Sequence, residues 1–522
     1  MEKSKANKEP SLITVIFISA LFAGFFQATT YFFLFAKGFG HDCGIFAYIG
    51  YAITQGKALY VEAWDNKGPL LYLINALGIL IDYRFGICLL EFITLFCSFF
   101  FLYKTANLFL SRIISIFCAM SCMMSLTSTL EGGNFSEEYA LPFTIVGFYL
   151  IAKYIKNNYN LKKIEMIIVG MCIAAVFLIR VNILAFLGCA VIGVVIILIR
   201  KKEYKKLGTV FGFALAGFIV FLIPFVIYLL KTGALKACID TAYLQILGSF
   251  SERGLVERIS YVNTMVLELT KSGTFFIIAC FVFFHVLYFR HKQNSDEGFV
   301  YLCRISVFGL LFTLLANSVS GASHFHYFIS FVPVLIIPTV ALAKLVLTFI
   351  EIHLVEKYHT DRFKNFAVAF IALAISATCL VNYSCSIYYK IKSYGTLSYS
   401  ELVTKYIADT TDESDVIQVI GNESACTSYY GAKRLAASNY FYYANGRFSE
   451  EAKTHFAGKI YEDIIKTQPK LIMFENVSSG GYDDKQEDFV SHCGHRDEWN
   501  SFIEENYISE KPYLNYTIYR HK

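Results

Sequence analysis

From Leu12 to about Tyr389 the chain alternates long apolar runs with short polar breaks, and then it changes character. Runs close to the roughly 20 residues that a helix needs to cross a bilayer lie at 12–36, 85–103, 112–130, 138–155, 164–180, 183–199, 207–230, 273–289, 299–319, 325–348 and 365–389. One further apolar stretch, 68–81, is shorter. It opens on Pro69, a residue favoured at a helix start, and closes at Asp82 and Arg84.

The placement of basic residues decides whether 68–81 crosses, because short cytoplasmic loops collect Lys and Arg. If it lies on the membrane without crossing, six clusters share one side. They are Lys3/Lys5/Lys8, Lys104/Arg112, Lys153/Lys156/Lys162/Lys163, Arg200/Lys201/Lys202/Lys205/Lys206, Arg290/Lys292 and Lys357/Arg362/Lys364. If it crosses, every cluster after the first flips outside. The pattern therefore predicts a polytopic α-helical membrane protein with eleven transmembrane helices and a cytoplasmic N-terminus. Residues 43–55 and 68–81 become two interfacial helices in the first outer loop. The run 12–36 follows a short lysine-bearing segment with no small-residue cleavage site, which favours a retained span over a signal peptide.

The tail reads differently. "DVIQVIG" and "PKLIMFEN" have the composition of short strands, and "SEEAKTHFAGKIYEDIIKT" that of a helix before the second. The expectation is a transmembrane domain over 1–389 and a small extracytoplasmic α/β domain over 390–522. Composition agrees: of 522 residues 56% are hydrophobic and 17% charged, too apolar for a soluble surface at this length. Fourteen cysteines lie mostly inside apolar runs without metal spacing and read as core residues. Cys426 and Cys493, in the tail, are open between a disulfide and two thiols. "GYAITQGKA" fails as a phosphate loop, having five residues between its glycines and Ala after Lys57. Nothing reads as zinc-protease, haem or nucleic-acid chemistry.

This topology puts the unusual polar residues outside. Asp42 stands where a first interfacial helix begins, a place that suits both an N-cap and a general base. In "LYVEAWDNKGPLLY", Tyr60 and Asp65 precede Lys67, an outer cation at the level of lipid phosphates. "EGGNFSEEY" supplies Glu131, Asn134, Glu137 and Glu138; "RVN" supplies Arg180 and Asn182; "GASHFHYF" supplies His324 and His326. Arg180 ends a span on the side that the charge bias disfavours, which reads as anion binding beside the alternative of snorkelling. The His-x-His pair reads as a contact to headgroups or phosphate more readily than as a metal site. His492, Cys493 and His495 read as a polar loop. Glu91 lies inside an apolar run, where a carboxylate needs a cavity or a partner.

Asp42, Tyr48, Ala52, Gly56, Tyr60, Asp65, Lys67, Gly68 and Pro69, followed by "GNFSEEY", "RVN" and "HFHYFISFVP", resemble the pattern of integral-membrane glycosyltransferases of the C-type fold. The resemblance is to the bacterial, family-39-like branch similar to protein mannosyltransferases and lipid A aminoarabinose transferases, and it covers nearly the whole chain. It implies a sugar donated from a polyprenyl phosphate to an acceptor on the outer face of the plasma membrane. Asp42 would be general base or metal ligand, and Lys67, Arg180, His324 and His326 partners of the donor phosphate. Tyr60, Asp65, Glu131, Asn134, Glu137 and Asn182 would contact the acceptor or support the site. Many relatives carry an acidic pair after the first span, whereas Cys43 follows Asp42 here. Asp65, Glu131 or Glu137 is then the second carboxylate, and a divalent cation, Mg or Mn, is left open. The partners implied are the polyprenyl-linked sugar, membrane lipids and an acceptor that is a glycolipid, a cell-wall polymer or a protein, with no nucleic acid. Three rival readings exist, one of them a catalytically dead scaffold whose tail binds a partner. A transporter or flippase of lipid-linked sugars calls for ionisable groups near the bilayer midplane and two pseudo-symmetric halves. A cell-surface polysaccharide polymerase has no evident need of the α/β tail.

Overall fold

The computed structural model describes residues 9–31, 41–244, 266–267, 296–318, 324–353, 361–421, 425–443, 450–476 and 485–522. They fall into two compact units. One comprises Met1–Phe33, Cys88–Val226 and Ile246–Ile391; the other comprises Leu34–Ile87, Ile227–Gln245 and Lys392–Lys522.

The first unit is helical. Five described helices are long and apolar enough to cross a membrane: Gly86–Ala106, Arg112–Thr129, Val181–Arg200, Tyr204–Lys231 and Glu297–Ser318. The number rises to seven if two bent pairs each count as one span, Phe325–Phe331 with Ile336–Ile352 and Asp361–Ala374 with Cys379–Lys392. The expected eleven are not all seen, for identifiable reasons. The run 273–289 lies outside the described residues. Leu12–Gln27 has 16 residues and Lys163–Ile179 has 17. Ser136–Lys156 is long enough but carries Glu137 and Glu138 in its first turn and Lys153 and Lys156 in its last.

Packing within this unit is what a bilayer demands. Lys163–Ile179 and Tyr204–Lys231 cross on two glycines: a Cβ on Gly170 would strike the Ala214 carbonyl, and one on Gly217 the Ile167 carbonyl. Small residues at such crossings let backbones approach where no hydrophobic effect drives helices together. Phe211, Leu215, Ile219 and Ile223 of the same long helix are exposed, a large apolar surface suited to lipid.

The second unit is built on a five-stranded sheet of order β2-β1-β3-β5-β4. Strands β1 (Val416–Ile420), β2 (Leu435–Ala436) and β3 (Leu471–Glu475) are parallel neighbours, while β5 (Tyr516–His521) runs antiparallel to β3 and to β4 (Tyr507–Ser509). The two strands read from sequence are β1 and β3, and the helix is Glu450–Thr467. The tail does not make this unit alone. Helix His41–Thr54 lies against helix Cys426–Ala432, with Gly44 so close to Thr427 that a Cβ would come within 2.8 Å of its Oγ1. The Ala436 N–H donates to Tyr48 Oη at 2.8 Å, Tyr51 donates to the Lys433 carbonyl at 3.0 Å, and Tyr430 to the Tyr83 carbonyl at 2.5 Å. Buried backbone groups must be paired, and here phenols of residues 48–83 and of the tail pair each other's backbone groups. Cys426 and Cys493 are both thiols, not a disulfide.

The two short helices read from the sequence form as His41–Thr54 and Pro69–Ile81. Pro69–Ile81 has Gly68 as its extended N-cap, and beyond it Asp82 Oδ1 accepts from the amides of Arg84 and Phe85 at 2.9 and 2.6 Å. A Cβ on Gly50 would come within 2.7 Å of Asn75 Cβ, so the glycine lets the two helices touch.

Candidate functional site

Two polar clusters hold most of the residues that the sequence singled out, one in each unit. In the helical unit the centre is the turn Glu131, Gly132, Gly133 and Asn134, whose φ angles of 40°, 102°, 84° and 60° all lie on the left-handed side. Each such non-glycine residue costs energy that the surroundings must supply. The turn directs Glu131 toward the 3-10 segment Phe325–Phe331, where Glu131 Oε2 accepts from the His326 amide at 3.2 Å and pairs with His326 Nδ1 at 2.9 Å. The His326 ring stacks on Phe135 at 4.2 Å between centroids and on His324 at 5.3 Å. Tyr327 stands edge-on to His326 at 4.9 Å and carries the Arg180 guanidinium over its face at 4.8 Å. Arg180 in turn forms an ion pair with Glu137, and Ser136 Oγ donates to Glu137 at 2.8 Å. Tyr139 donates to Asn134 Oδ1 at 2.9 Å. Asn182 sits in the 3-10 turn Val181–Ile183, two residues after Arg180, with Oδ1 buried.

Burial grades this cluster. The side chains of Glu137, His326 and Arg180 are 2%, 7% and 12% exposed, whereas Glu131 is 36% exposed. Glu137 is thus a buried charge that depends on Arg180, and Glu131 is the carboxylate that solvent reaches.

In the other unit the centre is Lys67, held by its main chain. Tyr60 donates to the Lys67 carbonyl at 2.7 Å, and the Lys67 amide donates to Tyr72 Oη at 3.0 Å. Tyr72 then donates to Asp65 Oδ2 at 2.6 Å, and Tyr442 to Asp65 Oδ1 at 3.4 Å. Tyr60 adopts φ 66° to reach this position. Burial pushes both the Tyr60 and Tyr72 phenols well above their ordinary range, and the Asp65 charge adds to it. Both hydroxyls therefore stay donors at physiological pH. The Lys67 ammonium donates to Asn66 Oδ1 at 2.7 Å and lies 5.8 Å from the Phe46 ring centroid. Asp42 belongs to the same unit, in the first turn of His41–Thr54.

The structure thus joins Glu131, Glu137, Arg180, His324 and His326, with Asn134 and Asn182 alongside, and separately joins Tyr60, Asp65 and Lys67. Sequence reasoning missed Tyr72, Tyr442, Phe135 and Tyr327. Tyr327 was legible as the residue directly after His326, and Tyr72 as the first tyrosine of the helix that Lys67 precedes. Tyr442 had no local signal. Among the described residues no three His, Cys, Asp or Glu side chains are grouped to hold a metal ion. Among the described residues Glu131 and His326 make a pair and Asp65 is taken by phenols, so neither group supplies three ligands to a divalent cation.

The chain is similar in structure to ArnT from Cupriavidus metallidurans bound to undecaprenyl phosphate, with 9% identity, 97% of each chain covered and a TM-score of 0.58. It is similar to the apo oligosaccharyltransferase of Archaeoglobus fulgidus at 12% identity, covering 99% of this chain and 75% of that one, with a TM-score of 0.53. The same organism's oligosaccharyltransferase AglB, in complex with an inhibitory peptide and a dolichol-phosphate, gives 13% identity, 98% and 74% coverage and a TM-score of 0.51. No curated protein matches the sequence. At these identities the likeness is one of fold. Residues 2–348 match the family model "Putative competence-induced protein Ccs4 N-terminal domain", so the chain belongs to that family, and it has the C-type fold of integral-membrane glycosyltransferases.

Proposed function

We propose that this protein is a glycosyltransferase that moves a sugar from a polyprenyl-phosphate carrier to an acceptor on the extracytoplasmic face of the membrane. The observation that carries the reading is the likeness over 97% of both chains to a transferase holding undecaprenyl phosphate. The charged clusters support it, because they offer cations of the kind a lipid phosphate needs.

In this reading the acceptor hydroxyl loses its proton to Asp42 as its oxygen attacks the anomeric carbon. The bond from that carbon to the phosphate oxygen breaks, the electron pair stays on the oxygen, and the lipid phosphate leaves. Charge grows on the leaving phosphate, and preorganised cations and donors stabilise such charge. Lys67, Arg180, His324 and His326 take that role. Glu137 bonds to Arg180 Nη1 and sets the plane of the guanidinium fork. Tyr60 and Asp65 seat Lys67, while Glu131, Asn134 and Asn182 support the histidine and arginine. The six-cluster basic bias supports a cytoplasmic N-terminus and an extracytoplasmic tail.

Purified protein in liposomes, supplied with a polyprenyl-phosphate sugar and a cell-envelope fraction as acceptor, tests the reading. Release of polyprenyl phosphate in step with sugar appearing on the acceptor is expected. Passage of the intact lipid-linked sugar across the bilayer without phosphate release would overturn it in favour of a flippase.

A further inference from the structure

Glu91 takes no part in the reaction just described, yet it is a fully buried carboxylate inside the apolar helix Gly86–Ala106. Its Oε2 lies 3.2 Å from Thr30 Oγ1, and its Oε1 has no hydrogen-bond partner among the described residues. That second oxygen fills the space beside Gly133. A Cβ built on Gly133 would strike Glu91 Oε1 first, and then Thr30 Cγ2 and Cβ at 2.8 and 2.9 Å. The neighbouring residue braces the same turn: the Tyr31 amide donates to the Gly132 carbonyl at 2.6 Å, and the Tyr31 ring occupies the side of Gly132 where a Cβ would stand. Thr30 is itself fixed, since Lys390 Nζ donates to its carbonyl at 2.9 Å. Four left-handed residues in a row persist only where the surroundings over-determine them, and Glu91, Thr30 and Tyr31 are among those surroundings. What the turn delivers is Glu131 on His326 Nδ1.

We infer that Glu91 is a positioning residue: with Thr30 it seats the turn 131–134, and through that turn it keeps Glu131 on His326 Nδ1 and so fixes the tautomer of that ring. A carboxylate only accepts hydrogen bonds, so it selects the tautomer with the proton on Nδ1. In the transferase reading the ring so held is a partner of the donor phosphate. This inference rests on the transferase reading for the last step alone; the seat and the tautomer stand on geometry.

The test uses full-length protein in detergent with 15N-labelled histidine, the His326 ring signals being assigned by their loss in His326→Gln. In the parent the neutral form of the His326 ring should carry its proton on Nδ1. Glu91→Ala should move the population toward the Nε2–H form, and Glu91→Gln, which keeps the shape against Gly133, should not. An unchanged His326 tautomer in a folded Glu91→Ala protein would overturn the inference; should that variant not fold, Thr30→Ala removes the other wall and takes its place with the same expectation. In the transfer assay Glu91→Ala should cost about 10²-fold in turnover, the order of loss from a reacting group misplaced by 1 Å, and nothing further in a Glu131→Ala background. Equal losses in both backgrounds would contradict action through Glu131. If the tautomer shifts as expected but no transfer is found in any variant, the positioning stands and the transferase reading fails.

Discussion

The two polar clusters hold their cations in opposite ways. Arg180 is fixed through its side chain, against a carboxylate that is 2% exposed, so removing its charge strands Glu137. Lys67 is fixed through its backbone, both peptide groups being bonded to buried tyrosines, so its ammonium can change without disturbing what seats it. The same kind of residue, a cation in a polar cluster, is held by its charge in one place and by its main chain in the other. Mutation should tell the two apart.

The largest effect is expected at the helical cluster. Arg180→Gln leaves Glu137 as an uncompensated buried charge, and breaking a buried pair in this way costs about 3–5 kcal/mol. A thermal melt in detergent should fall clearly, and Arg180→Gln with Glu137→Gln should recover most of the loss. A single variant as stable as the parent would mean that the pair is solvated in the working protein, and the contrast would collapse.

An intermediate effect is expected at Tyr72. Tyr72→Phe removes the donor to Asp65 Oδ2, which is 2.6 Å away in a 2% exposed residue, and the acceptor for the Lys67 amide. Leaving such groups unsatisfied costs about 1–3 kcal/mol, and the donor-lipid KM should rise because Lys67 loses one side of its seat. A lower melt with unchanged KM would show that the phenol braces the fold without placing the lysine.

The smallest structural effect belongs to Lys67 itself. Lys67→Gln should lower the melt less than Arg180→Gln does, because Asn66 and the Phe46 ring beside the ammonium are not charges, while raising the donor KM roughly tenfold for the loss of one charge-assisted contact. A large stability loss with no change in KM would reverse the comparison.

How far these sites could be read from the chain follows the same division. Periodicity, Gly68-Pro69 and Asp82 marked the helix Pro69–Ile81 nearly to the residue, because its start and stop signals are local. β1 and β3 were legible as runs of β-branched and apolar residues, whereas β2 and β4, with two and three residues, carry no pattern of their own. Charges out of place in an apolar chain pointed to Arg180, Glu91 and the Glu-Gly-Gly-Asn turn. What the sequence could not show is pairing at a distance: that His326 meets a glutamate 195 positions away, or that Asp65 meets a tyrosine 377 positions away. The joining of the outer loop to the tail was hidden for the same reason. Tyr48, Tyr51 and Tyr83 look like membrane-interface aromatics, and only the fold reveals that Tyr48 and Tyr51 bond backbone groups beyond residue 430.

The central claim is that Asp42 takes the acceptor proton, and one variant tests it most directly. Asp42 lies in the first turn of its helix, where a negative charge near the positive end of the dipole stabilises by about 0.3–1 kcal/mol. Asp42→Asn keeps the shape and loses the base. Measured side by side, sugar transfer from a polyprenyl-phosphate donor should fall about 10²–10⁴-fold, the typical contribution of a positioned general base, while the melt in detergent shows the variant still folded. Near-parental transfer by a well-folded Asp42→Asn protein would contradict the account.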